Sequence, residues 1–285
     1  MRNSQEIKKE MTPLNIQEIQ KVSYEILKLI SDFCKKYQIK YCLAYGTLIG
    51  AVRHNGFIPW DDDIDIIMPR PDYDRFLHLF SNENKKEYYK LINHEINKNY
   101  IYNITRVYDS RYPIIKDDEK NVPMGIFIDI YPYDGLGNNA NKAIMLLKKT
   151  RKYCDIIVEI TRNKKFKIPK ELNYKGKIIY LTKYSFHKIL GVNFYLNKLN
   201  SLRKQFSYSE SEYVGPLMWF FTSPDKVLFY KWQIESYQQA RFEDSLVQIP
   251  KDYDNMLKQE YGDYMTLPPE EKRIYQHNYK AYKRI

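Results

Sequence analysis

Residues 60–68 read Trp-Asp-Asp-Asp-Ile-Asp-Ile-Ile-Met, the densest run of chemistry-bearing side chains in the protein. In an extended strand successive side chains point to opposite faces, so Asp63 and Asp65 share one face while Ile64 and Ile66 share the other. Two carboxylates held ~7 Å apart on one face repel each other and lose hydration, a cost that a divalent cation between them offsets. A solvated acidic turn is the alternative for such a run. Two further segments favour a site. Ile39, Tyr41, Leu43 and Tyr45 alternate like a half-buried strand, which leads into Gly46-Thr47-Leu48-Ile49-Gly50 and then Ala51-Val52-Arg53-His54, the pattern of a strand, a glycine turn and a short helix. Gly46 lets a ligand phosphate approach the backbone, Thr47 offers a hydroxyl, and free N–H groups at a helix start favour an anion. In Gly125-Ile126-Phe127-Ile128-Asp129-Ile130-Tyr131-Pro132, an aspartate within so apolar a strand is costly unless paired or metal-bound. The other reading of Asp129 is a cap at the strand end, before the turn at Pro132 to Gly135.

Asp61, Asp63 and Asp65 also stand where positions 1, 3 and 5 of an EF-hand loop would be. That reading fails, because position 6 is Ile66 where the turn needs glycine, and position 12 is Asp72 rather than glutamate.

The elements that must position these residues can be read from the pattern. Ile16, Ile19, Val22, Ile26, Ile30 and Phe33 recur with helical spacing, predicting an amphipathic helix from Leu14 to Lys36 that covers the sheet. Pro69-Arg70-Pro71 ends the acidic strand and Asp72 is expected to cap a helix reaching Phe80. Short strands are expected near Tyr88 to Ile92 and Tyr102 to Tyr108. From Asn138 to Phe206 the pattern is helical, three helices by its breaks, with another over Asp252 to Tyr261. At 285 residues and 44% hydrophobic, the chain can bury a sizeable core as one elaborated domain or as a domain with a helical subdomain. Cys34, Cys42 and Cys154 are odd in number and lack metal-site spacing, which suits a reducing compartment. The first residues lack a hydrophobic signal region and no stretch approaches ~18 apolar residues. The expectation is a cytoplasmic protein, peripheral at most to the inner face of the membrane.

Gly46-Thr47, then Asp63-Ile64-Asp65, then the hydrophobic-flanked Asp129 resembles the pattern of the nucleotidyltransferase superfamily. More closely, the block from Tyr45-Gly46-Thr47-Leu48-Ile49-Gly50-Ala51-Val52-Arg53-His54 through Asn55-Gly56-Phe57-Ile58-Pro59-Trp60 to Asp61-Asp62-Asp63-Ile64-Asp65 is similar to the signature of the LicD/fukutin phosphotransferases. Phe127-Ile128-Asp129-Ile130-Tyr131-Pro132-Tyr133-Asp134, Tyr261-Gly262-Asp263-Tyr264-Met265 with Pro268-Pro269, and His277 follow in family order. Residues 39–135 and 242–278 are covered well and the stretch between them poorly; the zinc-binding insertion of some eukaryotic relatives has no counterpart. The resemblance implies an α+β fold with a nucleotidyltransferase-like mixed sheet flanked by helices, to which the helical pattern and charge of the middle region add a basic helical subdomain. It implies transfer of phosphocholine, or of glycerol or ribitol phosphate, from CDP-choline or another CDP-alcohol to a sugar hydroxyl of a cell-surface glycan or teichoic acid precursor, with release of CMP.

Such a transfer asks for positioning and for charge neutralisation around phosphorus, which magnesium, or manganese, clamped by Asp63, Asp65 and Asp129 supplies. Asp129 is also the base that the superfamily pattern implies. The expected substrate-binding set is Gly46, Thr47, Arg53, His54, Trp60, Asp61 and Asp62. Within it, Arg53 forks onto a donor phosphate or balances the aspartates, His54 acts or merely packs at a helix end, and Trp60 stacks on a base or plugs the core.

Charge divides the chain. Residues 140–206 hold 17 Lys and Arg against 3 Asp and Glu, a net +14 where the whole chain carries +11, so the remainder carries −3. A basic segment interleaved with Ile144, Met145, Leu146, Leu147, Ile178, Ile179, Tyr180 and Leu181 suits an anionic membrane surface where a lipid-linked acceptor would be found. A solvated lysine-rich face is the alternative, and nucleic acid is the least favoured partner. The expected division is a catalytic core over residues 1–137, a basic helical region over 138–210, and a C-terminal part over 211–285 that completes the core. Two rival functions remain: nucleotidyl transfer to RNA or a small molecule, and a basic binding module with a dead catalytic core. The long Arg53 to Asp65 block counts against the first and the three retained aspartates against the second.

Overall fold

The computed structural model describes residues 11–100, 102, 104–116, 124–161, 168, 171–218, 220, 222–275 and 279–284. Its strands are, in chain order, β1 (Met11–Pro13), β2 (Cys42–Leu43), β3 (Asp65–Pro69), β4 (Tyr89–Ile92), β5 (Thr105–Lys116), β6 (Gly125–Gly135), β7 (Tyr213–Gly215), β8 (Phe229–Tyr230), β9 (Tyr237–Phe242), β10 (Ser245–Pro250) and β11 (Tyr279–Arg284). The helices are α1 (Ile16–Tyr37), α2 (Tyr45–Ile49), α3 (Arg70–Glu83), α4 (Ala140–Thr161), α5 (Tyr174–Arg203), α6 (Lys231–Glu235) and α7 (Tyr253–Tyr261). The architecture is α+β, a mixed sheet flanked by helices.

The main sheet runs β1-β11-β5-β6-β3-β2, and β9 and β10 form a separate ribbon. Within that order β3 and β6 run parallel, with Asp65 opposite Asp129, whereas β5 lies antiparallel to β6 with Arg106 opposite Asp129. One face of the sheet is closed by α1. Asn15 caps that helix by accepting the Glu18 N–H at 2.9 Å, while Glu18 accepts the Asn15 N–H at 3.0 Å, which satisfies two of the orphan donors of a helix start. Ile26, Leu27 and Ile30 on its inner side are fully buried with Ile64, Ile66, Met68, Ile128 and Ile130. The opposite face carries Asp65, Ile67, Asp129, Tyr131 and Tyr133, and Ile67 and Tyr133 pack there with Cys42, Phe229 and Met256.

Several elements differ from the sequence expectation. The alternation from Ile39 to Tyr45 yields a strand only at Cys42–Leu43, because both of its faces are buried and the chain turns at once into α2. Asp72 does not cap α3. The helix starts at Arg70 with proline in its first turn, as proline's fixed φ allows, and Asp72 accepts the Lys40 N–H at 3.1 Å instead. The helical stretch expected to hold three helices holds two among the described residues, α4 and α5, and α5 is kinked at Gly191, whose φ is +74°. A side chain there would be strained, so the glycine permits the bend. These helices pair around Leu146, Leu147, Ile157, Leu196 and Leu199, a second core that also takes in Leu217, Phe220 and Val227. All three cysteines are buried free thiols. Among the described residues no helix is long and apolar enough to cross a membrane.

Candidate active site

Two registers decide where the carboxylates stand. The β5–β6 and β6–β3 pairings place Arg106, Asp129 and Asp65 side by side across three adjacent strands, ~4.8 Å from strand to strand. Arg106 Nε donates to Asp129 Oδ1 at 2.5 Å and Nη2 to Oδ2 at 3.3 Å, so both oxygens of Asp129 are forked by a buried guanidinium. The same guanidinium stacks over Phe127, 3.9 Å from its ring centre. Arg106 was not anticipated from sequence: an arginine in a tyrosine-rich strand carries no motif, and only the register makes it the partner of Asp129.

Asp65 has a different environment. Its backbone N–H donates to Thr47 Oγ1 at 2.9 Å, which ties α2 to β3 and makes buried Thr47 a positioning residue, while its Oδ1 is buried without a hydrogen-bond partner. Burial foremost, then Asp63, Asp129 and Asp61, push its carboxyl well above the usual carboxylate range, opposed by Arg106. An orphaned carboxylate oxygen facing other carboxylates is the donor set of a hard divalent cation, so the residues present fit such an ion.

The loop before β3 supplies the remaining acids. Ligand-capable oxygens of Asp61, Asp62 and Asp63 lie within 4.8 Å of one another, and Asp65 and Asp129 stand on the strands beyond that trio. Asp62 is buried and accepts the Tyr279 hydroxyl at 2.6 Å, which anchors the loop to β11. Gln20 of α1 donates to the Asp61 carbonyl at 2.7 Å. A Cβ on Gly46 would stand 2.9 Å from Asp61 Oδ2, so a side chain there would shift the Asp61 carboxylate from its place over α2. Just before it, Tyr45 has φ of +50°, an outlier for an aromatic residue and a form of strain that clusters at functional sites.

Arg53 lies in a π-helical turn, Gly50–His54. It neither balances the aspartates nor stands unused: Nη1 donates to the Tyr264 carbonyl at 2.5 Å and Nε to His54 at 3.0 Å, holding the C-terminal loop against the site. Burial, then nearby Arg273, lower its pKa. Arg273 in turn lies over the Trp60 ring at 5.6 Å, and neither arginine has a carboxylate partner among the described residues. His54 packs edge-on to Trp60 at 6.4 Å, and burial, then Arg53, lower its pKa. His277 lies outside the described residues.

Aromatic side chains close the other flank. Tyr131, two residues beyond Asp129 on the same strand face, has its pKa raised by burial and then by Asp65 and Asp129. Its ring meets that of Tyr45 at 5.0 Å and 72°, and the Tyr45 and Tyr133 hydroxyls are 3.3 Å apart. Glu260, at the end of α7, lines a cavity of about 10 Å³ with Tyr45, Tyr133 and Phe229. Burial raises its pKa to about 8, opposed by Lys226.

The family described as "LicD/FKTN/FKRP, nucleotidyltransferase domain" matches residues 38–171, a span that includes Gly46, Thr47, the acidic loop, Arg106 and Asp129. The protein named lipopolysaccharide cholinephosphotransferase LicD of Haemophilus influenzae is 33% identical over 276 residues, 95% of this chain and 99% of that one. An uncharacterised protein of Rickettsia typhi is 35% identical over 113 residues, 39% of this chain and 34% of its own length. Another, of Rickettsia prowazekii, is 51% identical over 43 residues, 15% of this chain and 16% of its own. A match that runs nearly end to end in both chains carries the helical region as well as the acidic sheet, and on it the chain belongs to the LicD family of phosphotransferases.

Proposed function

We propose that this enzyme transfers phosphocholine from CDP-choline to a sugar hydroxyl of a cell-surface glycan and releases CMP. The observation that carries the reading is the row Arg106–Asp129–Asp65 with its orphaned Asp65 oxygen, beside a full-length relative named a lipopolysaccharide cholinephosphotransferase. The acceptor oxygen attacks the phosphorus that bears choline; the new O–P bond forms as the bond from that phosphorus to the bridging oxygen of CMP breaks. CMP leaves with the electron pair, and the hydroxyl proton passes to Asp129 or to water. Asp63, Asp65 and Asp129 would hold a magnesium ion, whose chemistry would be to neutralise charge on the phosphoryl and leaving oxygens. Arg106 fixes Asp129 in place, and Arg53 and Arg273, with no carboxylate of their own, suit a donor phosphate. Trp60, beside His54 and under Arg273, is the ring we assign to stack on the cytosine.

Acceptor recognition is assigned to the membrane face. In the first half of α5, Tyr174, Ile178, Ile179, Phe186 and Ile189 are exposed, Ile189 at 84%, among Lys175, Lys177, Lys183 and Lys188. Apolar and cationic side chains exposed together suit the interface of an anionic bilayer, where a lipid-linked acceptor would be met.

The test is product identity. Incubation with CDP-choline, magnesium and a glycan acceptor should release CMP and label the glycan with phosphocholine. Pyrophosphate from CTP or ATP, with no CMP from any CDP-alcohol, would replace this reading with nucleotidyl transfer. A magnesium titration of Asp129→Asn separates its two roles: a lost ligand raises the metal requirement, and a lost base lowers the rate at saturating metal.

A further inference from the structure

Glu260 presents a chemical problem that the transfer reaction does not use. Its carboxylate is part-buried among the rings of Tyr45, Tyr133 and Phe229, and Tyr261 follows it in the chain. Among the described residues it has no hydrogen bond and no ion pair. The nearest cation, Lys226, donates its Nζ to the backbone carbonyl of Glu260 at 3.2 Å and leaves the carboxylate unpartnered. A carboxylate held in such surroundings is expensive unless a cation arrives.

The rings around it are arranged for one. Tyr45 and Tyr131 stand edge to face at 5.0 Å, and both retain part of their surface to solvent, as does Glu260; Tyr261 is 45% exposed. The strained backbone of Tyr45, φ +50°, holds its ring in this position. Tyr131 stands two residues from Asp129 on the same strand face, and Tyr45, which packs on Tyr131, lines the Glu260 cavity. The aromatic group therefore adjoins the catalytic row. Tyr131 lies two residues along the strand from Asp129, ~7 Å, within reach of a charge joined to the reacting phosphorus by a two-carbon link.

We propose that Tyr45, Tyr131, Tyr261 and Glu260 form the subsite for the cationic head of the donor alcohol, a quaternary ammonium. The proposal rests on the transfer reading above and names the part of the site that selects the alcohol. The cavity behind Tyr45, about 10 Å³, has room for about one water molecule, so the head group sits at its mouth against the three rings. A quaternary rather than a primary ammonium follows from the lining. A primary ammonium is strongly hydrated and needs several acceptors, whereas this site offers one carboxylate and ring faces, which attract a weakly hydrated cation without N–H groups.

The experiment uses the full chain and two probes, choline and 3,3-dimethylbutan-1-ol, its uncharged isostere, titrated with NMR detection of the methyl signal. Choline should bind saturably and at least tenfold more tightly than the isostere. Glu260→Gln and Tyr261→Leu should each weaken choline at least tenfold, and Glu260→Asp should recover part of the loss. Thermal unfolding shows whether each variant is folded, and Tyr261→Leu, at an exposed position, guards against a collapse caused by Glu260→Gln. Equal binding of the two probes, or choline affinity unchanged in both variants, would overturn the subsite even if the enzyme turns over CDP-choline. Selective choline binding lost in the variants, in an enzyme that releases no CMP from CDP-choline, would keep the subsite and sink the transfer reading.

Discussion

The acidic sheet and the basic helical pair use charge in opposite ways. On the sheet, Arg106, Asp129 and Asp65 are buried, and each stands where a strand register puts it. On α4 and α5, most lysines are exposed, and residues 140–206 carry a net charge of +14. A charge removed from water is costly, so its presence in a core is meaningful residue by residue. An exposed lysine is cheap, and it becomes informative only collectively, through its field and through the apolar residues beside it.

The largest expected effect is on catalysis in the sheet. Asp65→Asn or Asp63→Asn should lower turnover at least ~1000-fold, about 4 kcal/mol in barrier terms, while the fold survives. Without metal the melting temperature should rise slightly, because like-charge repulsion is relieved. A variant keeping a tenth of wild-type turnover would show that these acids do not hold the reacting charge.

Arg106→Met tests the same burial through stability. Leaving Asp129 buried and unpaired should destabilise the protein by about 3–5 kcal/mol in denaturant unfolding, and adding Asp129→Asn should restore much of the loss. An Arg106→Met protein as stable as wild type would mean that the pair is solvated, and the contrast between the two regions would fail.

Glu260 sharpens the contrast through pH. Its folded pKa of about 8 lies above the ordinary 4.5, so between those values the folded chain holds a proton that the unfolded chain has lost. Stability from this group is therefore full below about pH 4.5 and is lost as pH rises to about 8. The groups facing it are Lys226, Tyr45, Tyr133 and Tyr261. The melting temperature of wild type should fall between pH 5 and 8 more than that of Glu260→Gln. Identical slopes would place the carboxylate in water.

The smallest effect on stability belongs to the helical pair. Lys175→Gln, Lys183→Gln and Ile189→Ser together should change stability by no more than ~0.5 kcal/mol per site. They should nevertheless reduce co-sedimentation with anionic vesicles, in which each surface lysine contributes ~1 kcal/mol, and the wild-type binding should weaken as salt rises. Turnover of a small soluble acceptor should change little. Arg151 is not a useful substitution here, because it donates to the Phe220 and Thr222 carbonyls and pairs with Asp155 at 3.1 Å. Equal binding to neutral vesicles, or none at low salt, would reduce the basic segment to a solvated face.

Much of this arrangement was legible in one dimension. The periodicity of Ile19 to Phe33 predicted α1 within a residue or two, and the apolar run around Asp129 predicted β6. The Asp61 to Asp65 run and the Gly46-Thr47 turn were visible because their chemistry is local in sequence. Asp72 was misread as a cap because its oxygen is engaged by Lys40, 32 positions upstream. Arg106, Glu260 and Arg273 carried no signal, being ordinary residues of a lysine- and tyrosine-rich chain, and Tyr131 and Tyr261 stood in family-matching segments without a role of their own.

By itself the sequence determined which groups could hold charge, and it did so through residue type and spacing: which strands alternate, which turn needs glycine, which segment is basic. Tertiary structure alone decided which charges meet. Asp65 and Asp129 are 64 positions apart and become neighbours only through the parallel β3–β6 register; Arg106 reaches Asp129 only through the antiparallel β5–β6 register. Side chains on a strand alternate with a period of two, so a slip of one residue would turn each of these groups to the opposite face.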